Sequence, residues 1–324
     1  MFYPLMFEPR LKERVWGGRR LEELYGKPLP PHRPIGESWE LTDRPGDVSV
    51  IVNGPWAGRD LRWLWQSHRQ GVWGGAVAWE RFPWLIKILD ARQLLSVQVH
   101  PPAAVAARLG GEPKTELWYI TEAAPEAEIY AGLRRGVTRE DFERRLREGT
   151  VAECIHRFRV RAGDAVFLPS GRIHALGAGL VLFEIQQNSD TTYRLYDWGR
   201  VGLDGRPRTL HWEEALASVD FGDIEPGPVP VAWVESKTGR WRLLVEHELF
   251  RVEVWQWQRS TEVCWSGGVC RVLGCVNGVL EVQAGEGSVE LRAGRFCLLP
   301  AALQSVTLRV SEAAELLAVG PVGR

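Results

Sequence analysis

The sequence predicts a mainly β protein built from two related halves, with a small helical portion in the first. Three observations carry this expectation. Short apolar runs rich in Val, Ile, Leu and aromatics recur at 48–52, 85–89, 117–120, 165–168, 181–185, 252–255, 279–282 and 306–308. Gly, Pro, Asn or Asp usually punctuates them, the pattern of an all-β sandwich or barrel. A Gly-five-Pro frame also occurs twice, Gly163 to Pro169 and Gly294 to Pro300, at an offset of 131 residues. Such self-similarity points to a duplicated unit. Finally, Glu225-Pro226-Gly227-Pro228-Val229-Pro230 reads as a stiff linker.

Two helices are expected in the first half. After Asp60, the residues Leu61, Leu64, Trp65 and His68 follow a 3.6-residue period, and Thr138 is placed to cap a helix whose Phe142 and Leu146 share a face. The linker divides the chain into an N-terminal unit of residues 1–224, with helical insertions, and a C-terminal unit of residues 225–324. The two copies of the frame then diverge. The first continues to His174; the second has Ser305 in that place. One half keeps a possible ligand and the other lacks it, so a metal is expected only in the N-terminal unit.

Composition narrows the function. The 324 residues are 45% hydrophobic and 25% charged, average for a globular chain. Lys plus Arg is 40 against 41 Asp plus Glu, a net charge of -1 that provides no general field for nucleic acid or an anionic membrane. No leader pattern opens the sequence and no apolar stretch approaches membrane-spanning length, so a cytoplasmic protein is expected. Five cysteines without a CxxC pair read as free thiols in a reducing compartment. Sixteen tryptophans are an unusual number.

Three short segments carry chemistry. In Ser96-Val97-Gln98-Val99-His100, strand alternation puts Ser96, Gln98 and His100 on one face and the valines on the other. In Lys114-Thr115-Glu116, Lys114 and Glu116 again point the same way, and His174 follows a Pro-x-Gly turn. Imidazole, carboxylate and amide oxygen together suit a divalent ion of borderline hardness such as zinc. Taken singly, each segment also fits an exposed polar face or a satisfied core histidine. The run Gln186 to Thr192 is costly to bury without a use for its polar groups. Arg194 shares a strand face with Thr192 and Tyr196 there, although pairing with Asp190 or Asp197 would also account for it. His32, His68, His156, His211 and His247 have no patterned partners and read as surface or ordinary core.

The segment from Gly163 through His174 resembles the second signature of the cupin superfamily, with Ala178 where that signature has Asn. The first cupin signature, a His-x-His, is here Gln98-x-His100 with Glu116 sixteen residues on, and that alteration resembles class I mannose-6-phosphate isomerases in their short bacterial form. The likeness extends through Trp16-Gly17-Gly18, Gly36-Glu37-Ser38-Trp39-Glu40, Phe82 to Lys87, Lys114 to Ile120 and the long block Glu184 to Asp197. Pro102-Ala103 stands where the family often has two acids, which implies a local loop change.

The resemblance implies two cupin-type jelly-roll barrels, the second degenerate and without metal. It implies one zinc ion per chain on Gln98, His100, Glu116 and His174, and Arg194 as the catalytic arginine. Ser96, Lys87 and Arg200 would grip the substrate phosphate, with Lys114 and Glu184 lining the pocket as candidates for the proton-transferring base. The implied activity is interconversion of mannose 6-phosphate and fructose 6-phosphate through a cis-enediol. The implied partner is a small sugar phosphate, with no nucleic acid and no membrane, on a monomer or weak dimer. Two other readings remain open: an iron or manganese dioxygenase, against which Gln98 stands, and a non-catalytic sugar-binding cupin, against which the Arg194 block stands.

Overall fold

The computed structural model describes residues 2–75, 77 and 79–322. Its strands form two pairs of antiparallel sheets and a small two-stranded one, Asp43–Arg44 with Asp47–Val48. In the first pair, a six-stranded sheet runs in the order Ala165–Leu168, Glu116–Ala123, Leu180–Gln187, Trp84–Ala91, Ile35–Leu41, Arg10–Gly18. Against it stands a five-stranded sheet ordered Ile155–Arg159, Glu128–Leu133, His174–Leu176, Val97–Val99, Tyr193–Tyr196. The second pair consists of a seven-stranded and a four-stranded sheet, drawn from the C-terminal third except for Leu5–Met6. That short N-terminal strand pairs with Phe296–Leu299, so the chain's beginning is hydrogen-bonded into the C-terminal sheet.

The central strands of the six-stranded sheet are buried on both faces, which is why they read as continuous apolar runs rather than alternating ones. On one face, Leu89, Trp118, Ile120 and Leu182 pack with Ile129, Ala131 and Leu176 of the five-stranded sheet. On the other, Ile86, Ile88, Leu117, Tyr119, Phe183 and Ile185 share a core with Phe250, Val252, Val254, Val272, Phe296, Leu298, Leu317 and Val319. The two halves therefore share one apolar core. A buried ion pair adds to the junction: Lys27 Nζ lies 2.6 Å from Glu40 Oε1 and donates to the carbonyl of Gly294 at 3.1 Å.

The repeat seen in the sequence is also a repeat in hydrogen bonding. Gly163 N–H donates to Ile120 O at 2.8 Å and Ile120 N–H to Asp164 O at 2.9 Å. In the second copy, Gly294 N–H donates to Cys275 O at 2.8 Å and Cys275 N–H to Arg295 O at 3.0 Å. Both glycines have positive φ, 90° and 75°, a conformation that favours residues without a Cβ.

Both expected helices are present. Leu61–Trp73 is capped by Asp60, whose side chain accepts from Trp63 N–H, and it kinks at His68. Arg139–Glu148 is capped by Thr138 and buries Phe142 and Leu146. One expected strand is not formed as such. Around 48–52 the backbone makes only the two-residue strand Asp47–Val48 and the isolated bridges of Val50 and Ile51. Ile51 and Val50 are held by Arg59–Asp60 and by Phe7 rather than by a sheet, so their apolar character serves packing under the helix.

Eight of the sixteen tryptophans fall into two groups, and Trp56 and Trp63 pack with Phe2 and His68. Trp65, Trp73, Trp79 and Trp84 pack edge-on or tilted around Phe82, with ring centroids 5.1 to 6.4 Å apart. Trp241, Trp255, Trp257 and Trp265 form a second cluster across the C-terminal strands. The five cysteines are all free.

Candidate metal centre and active site

Between the six- and five-stranded sheets, polar side chains from both converge. Strand register explains which ones. His174 and Arg194 both pair with Gln98 across the five-stranded sheet, while Glu184 pairs with Lys87 and with Trp118 across the six-stranded one. Period-two alternation then aims Lys87, Glu116, Trp118 and Glu184 inward on the same face. The Pro-x-Gly turn is fastened to the same place: Gly171, at φ 95°, donates its N–H to the His100 carbonyl at 2.8 Å.

His100, Glu116 and His174 each present one ligand atom, all within 4.8 Å of one another. All three are buried. Glu116 Oε2 is 3.4 Å from His100 Nε2, and its Oε1 is 3.4 Å from His174 Nε2. The other ring nitrogens are committed. His100 Nδ1–H donates to the Thr191 carbonyl at 2.8 Å, and His174 Nδ1–H donates to the Arg172 carbonyl at 2.9 Å. Each bond fixes a tautomer whose Nε2 lone pair faces the centre, the arrangement that orients a metal-binding imidazole. His100 Nε2 and both Glu116 oxygens make no hydrogen bond, Oε2 being met only by the Lys114 ammonium. Buried polar atoms left without partners are rare because each costs its desolvation energy. Three of them aimed at one point fit a cation that they would bind together.

Gln98 completes the group. Its amide Nε2 lies 3.2 Å from His174 Nε2, and its side chain also faces Ser96. Burial pushes the His100 imidazolium down to about 3, helped by the nearby Lys114 charge, so the ring is neutral and free to ligate at neutral pH. His174 is lowered for the same main reason, burial. Burial opposes the charged form of Glu116, but Lys114 and the two histidines outweigh it and hold the carboxyl well below its usual range. For Lys114, burial works against the ammonium, yet Glu116 and Glu184 hold its proton more firmly than usual. Its Nζ is 3.0 Å from Glu116 Oε2. Glu184 is moved the other way, upward by burial, although Lys87 Nζ sits 2.9 Å from its Oε2 and Trp118 donates to its Oε1 at 2.9 Å.

These groups open into a cavity of about 560 Å³. Lys87, Ser96, Gln98, Lys114, Glu184 and Arg194 line it, as does Trp16. His100, Glu116 and His174 form the buried centre beside it. Arg200 is the exception among the expected residues, because it is not in the lining. Its guanidinium is held by Asp197 Oδ1, 2.9 Å from Nε, and by the Leu94 carbonyl. The lining instead includes groups the sequence reading did not single out: Arg14, Glu37, Asp190, Arg208 and His211. His211 Nδ1 accepts from the Arg194 backbone N–H at 3.3 Å, which replaces its reading as a residue without partners.

The polar run 186–192 proves to be scaffold for this centre. Gln186 donates to the carbonyls of Gln187 and Ser189, Gln187 Oε1 accepts from Thr115 N–H, and Asn188 donates to the carbonyls of Asp43 and Phe82. Together they place the Thr191 carbonyl that orients His100. Gln186 and Ser189 are buried and the others half-buried apart from exposed Asp190, and their hydrogen bonds hold loops and through them a ligand.

Glu37 braces the cavity wall. Arg14 holds it through Nε at 2.8 Å and Nη2 at 3.2 Å, and Trp39 Nε1 donates to it at 2.6 Å. Burial raises its pKa, but Arg14 and Lys87 more than offset this and bring it down to about 2 from an ordinary 4.5. A depressed carboxyl contributes stability that is present above the unfolded-state value and is lost as pH falls through the folded one. The contribution is about 3 kcal/mol. Glu37→Gln is therefore expected to lower the urea midpoint at pH 7, with the difference from wild type shrinking as pH falls below about 4.5. A difference that stays constant from pH 7 to pH 3 would contradict this.

Comparison with known proteins places this arrangement. Residues 5–112 match the model of the phosphomannose isomerase type I catalytic domain. A probable mannose-6-phosphate isomerase of Bacillus subtilis, GmuF, is 34% identical over 95% of this chain and 96% of its own length. The mannose-6-phosphate isomerase of Streptococcus mutans is 34% identical over 94% of this chain and 95% of its own. A crystal structure of the mannose 6-phosphate isomerase from B. subtilis superposes with a TM-score of 0.89 at 29% identity, covering 98% of this chain and 99% of that one. The chain belongs to the type I mannose-6-phosphate isomerase family.

Proposed function

We propose that this protein is a zinc-dependent aldose–ketose isomerase that interconverts D-mannose 6-phosphate and D-fructose 6-phosphate through a cis-enediol. The observation that carries the reading is the inward group of neutral His100 Nε2, His174 Nε2 and the carboxylate of Glu116, in which His100 Nε2 and Glu116 Oε1 make no hydrogen bond and Glu116 Oε2 is met only by the Lys114 ammonium. Two imidazoles, a carboxylate and the Gln98 amide form a donor set that suits zinc and leaves it positions for substrate oxygens. When bound, zinc supplies a positive charge that stabilises negative charge developing on the sugar's carbonyl and hydroxyl oxygens.

The chain's own residues perform the proton movements. Isomerisation removes the proton on C2 of the aldose and protonates O1, giving the enediol; removal of the O2 proton and protonation at C1 then gives the ketose. No electrons leave the substrate. The two base candidates differ in what surrounds them. The Lys114 proton is held more tightly than usual by Glu116 and Glu184, which suits a permanent cation. The Glu184 carboxyl is moved upward by burial, the direction a base needs in order to shuttle a proton near neutral pH. Glu184 is therefore assigned the base, with Lys87 and the Trp118 indole fixing its two oxygens. Arg194 is placed beside the enediol oxygens. Its guanidinium touches Ser96 Oγ at 3.3 Å and the Thr209 carbonyl at 2.9 Å and, among the described residues, makes no ion pair within 4 Å. Its charge remains available to stabilise the transition state.

The test is direct conversion of mannose 6-phosphate to fructose 6-phosphate by purified protein supplied with zinc. Turnover is expected, and its absence would contradict the proposal.

A further inference from the structure

Five lysine and arginine side chains line the cavity: Arg14, Lys87, Lys114, Arg194 and Arg208. Three are matched one to one with buried carboxylates: Arg14 with Glu37, Lys87 with Glu184 and Lys114 with Glu116. Arg194 and Arg208 are arranged differently. Arg208 holds Asp197 through Nε at 2.7 Å and Nη2 at 2.5 Å, and the same carboxylate is shared with Arg200, whose Nη2 is 2.8 Å away. Arg194 stands close enough for Arg208 and Arg200 to disfavour its proton. Two guanidiniums thus share one carboxylate while Arg194, without an ion pair among the described residues, lines the same cavity, so these three cations and one anion leave two positive charges uncompensated. A phosphate monoester, with its second pKa near 6, carries about two negative charges at neutral pH.

The loop 199–211 explains how Arg208 reaches this place. Gly202 N–H donates to Arg206 O at 2.7 Å and Val201 bridges Pro207, so the chain folds tightly back on itself. The returning limb then runs along Arg194, with Thr209 O accepting from Arg194 Nη1 and His211 N–H donating to Arg194 O at 2.8 Å. Of the three arginines, Arg194 and Arg208 line the cavity, and Arg200 lies behind Asp197. Three further carboxylates line the cavity: Glu13, which pairs with Arg33 at 3.3 Å, and Asp190 and Asp204, which are both exposed.

We infer that Arg208 is the residue that binds the substrate's phosphate group, with Asp197 and Arg200 behind it as positioning residues. The inference rests on the isomerase reading above and names the side chain that selects a phosphorylated sugar. Asp197 fixes one edge of the Arg208 guanidinium, and Arg200 reduces the negative charge of Asp197 felt in the cavity. The phosphate role expected for Arg200 from the sequence is thereby indirect.

The test compares Arg208→Ala, Arg208→Lys and, as a control, Arg206→Ala, which removes an exposed arginine of the same loop. Each is assayed for the KM of mannose 6-phosphate and for competitive inhibition by inorganic phosphate, and phosphate binding is followed separately by tryptophan fluorescence. Loss of charge-assisted hydrogen bonds is expected to raise KM and weaken phosphate inhibition about 10- to 100-fold in Arg208→Ala, with a much smaller change in kcat. Arg208→Lys should be intermediate, because a point charge replaces a planar fork, and Arg206→Ala should match wild type. Thermal melts of all variants report folding, and the lysine variant reads the effect if alanine fails to fold. Unchanged KM and phosphate inhibition in both Arg208 variants would overturn the inference, as would a loss confined to kcat. If wild type bound inorganic phosphate without turning over mannose 6-phosphate, the isomerase reading would fall. Loss of that binding in Arg208→Ala would still support the anchor.

Discussion

Glu116→Gln is expected to abolish turnover. The carboxylate is the one anionic member of the centre, and each of its oxygens faces an imidazole Nε2 at 3.4 Å. Loss of an outer-shell partner of a ligand already costs about 10- to 100-fold in metal affinity, and loss of a charged ligand costs at least that. The substitution has a second consequence. Lys114 is buried and sits 3.0 Å from Glu116, so the neutral amide leaves its ammonium with Glu184 and, more weakly, Asp190 to offset it. Removing one partner of a buried pair typically costs about 3 kcal/mol or more. His174→Ala removes a ligand but no charge, so it should lose metal and turnover with less loss of stability in the metal-free state. Metal content, turnover and urea midpoints measured on both variants separate the two effects. Full metal content and wild-type turnover in either variant would refute the centre.

Arg194→Ala is expected to lower kcat by about 100- to 1,000-fold with a smaller change in KM, the usual cost of removing one preorganised donor to a developing oxyanion. Burial, followed by the charge of Arg208, brings its pKa down to about 10, so the guanidinium stays charged at neutral pH while being poorly compensated. Arg194→Lys keeps the charge without the planar fork and should recover only part of the loss. Arg194 and Arg208 are thus expected to separate kinetically, kcat following the first and KM the second. Steady-state kinetics on the two alanine variants reads this, and an Arg194 effect confined to KM would move it from the reacting carbons to the phosphate.

Much of the centre was legible in the sequence because strand alternation and turn geometry are local. Ser96, Gln98 and His100 share a face by period two, and Gly163 to His174 is a self-contained turn and strand. Three of the expected ligands, His100, Glu116 and His174, present their atoms to one another, and Gln98 lies beside His174. Arg14, Glu37, Arg208 and His211 were not found, because nothing local marks them as neighbours of that point. Arg14 and Glu37 enter from the strands Arg10–Gly18 and Ile35–Leu41 through the register of the six-stranded sheet. Arg208 arrives on a loop whose shape depends on the bridge between Val201 and Pro207. The weak signal available was Glu37 within Gly36-Glu37-Ser38-Trp39-Glu40, a charged residue in a run that is buried throughout.

The polar run 186–192 shows the limit from the other side. Only Gln186 and Ser189 are buried there, and the run serves to hold loops and to orient His100 through the Thr191 carbonyl. Likewise, the strand expected at 48–52 is reduced to Asp47–Val48 and isolated bridges: Ile51 is buried in the core that includes Leu61, Leu64 and Trp65, whereas Val52 is exposed. Apolar character did not fix burial at every position, and tertiary contacts decided the backbone form.

The central claim is that His100, Glu116 and His174, with Gln98, hold a metal on which turnover depends. Chelation followed by dialysis, with metal content and mannose 6-phosphate turnover measured together before and after zinc is restored, tests it most directly. The account predicts one metal per active chain, with turnover falling in proportion to metal removed and returning with zinc. Undiminished turnover by protein shown to be metal-free would contradict it.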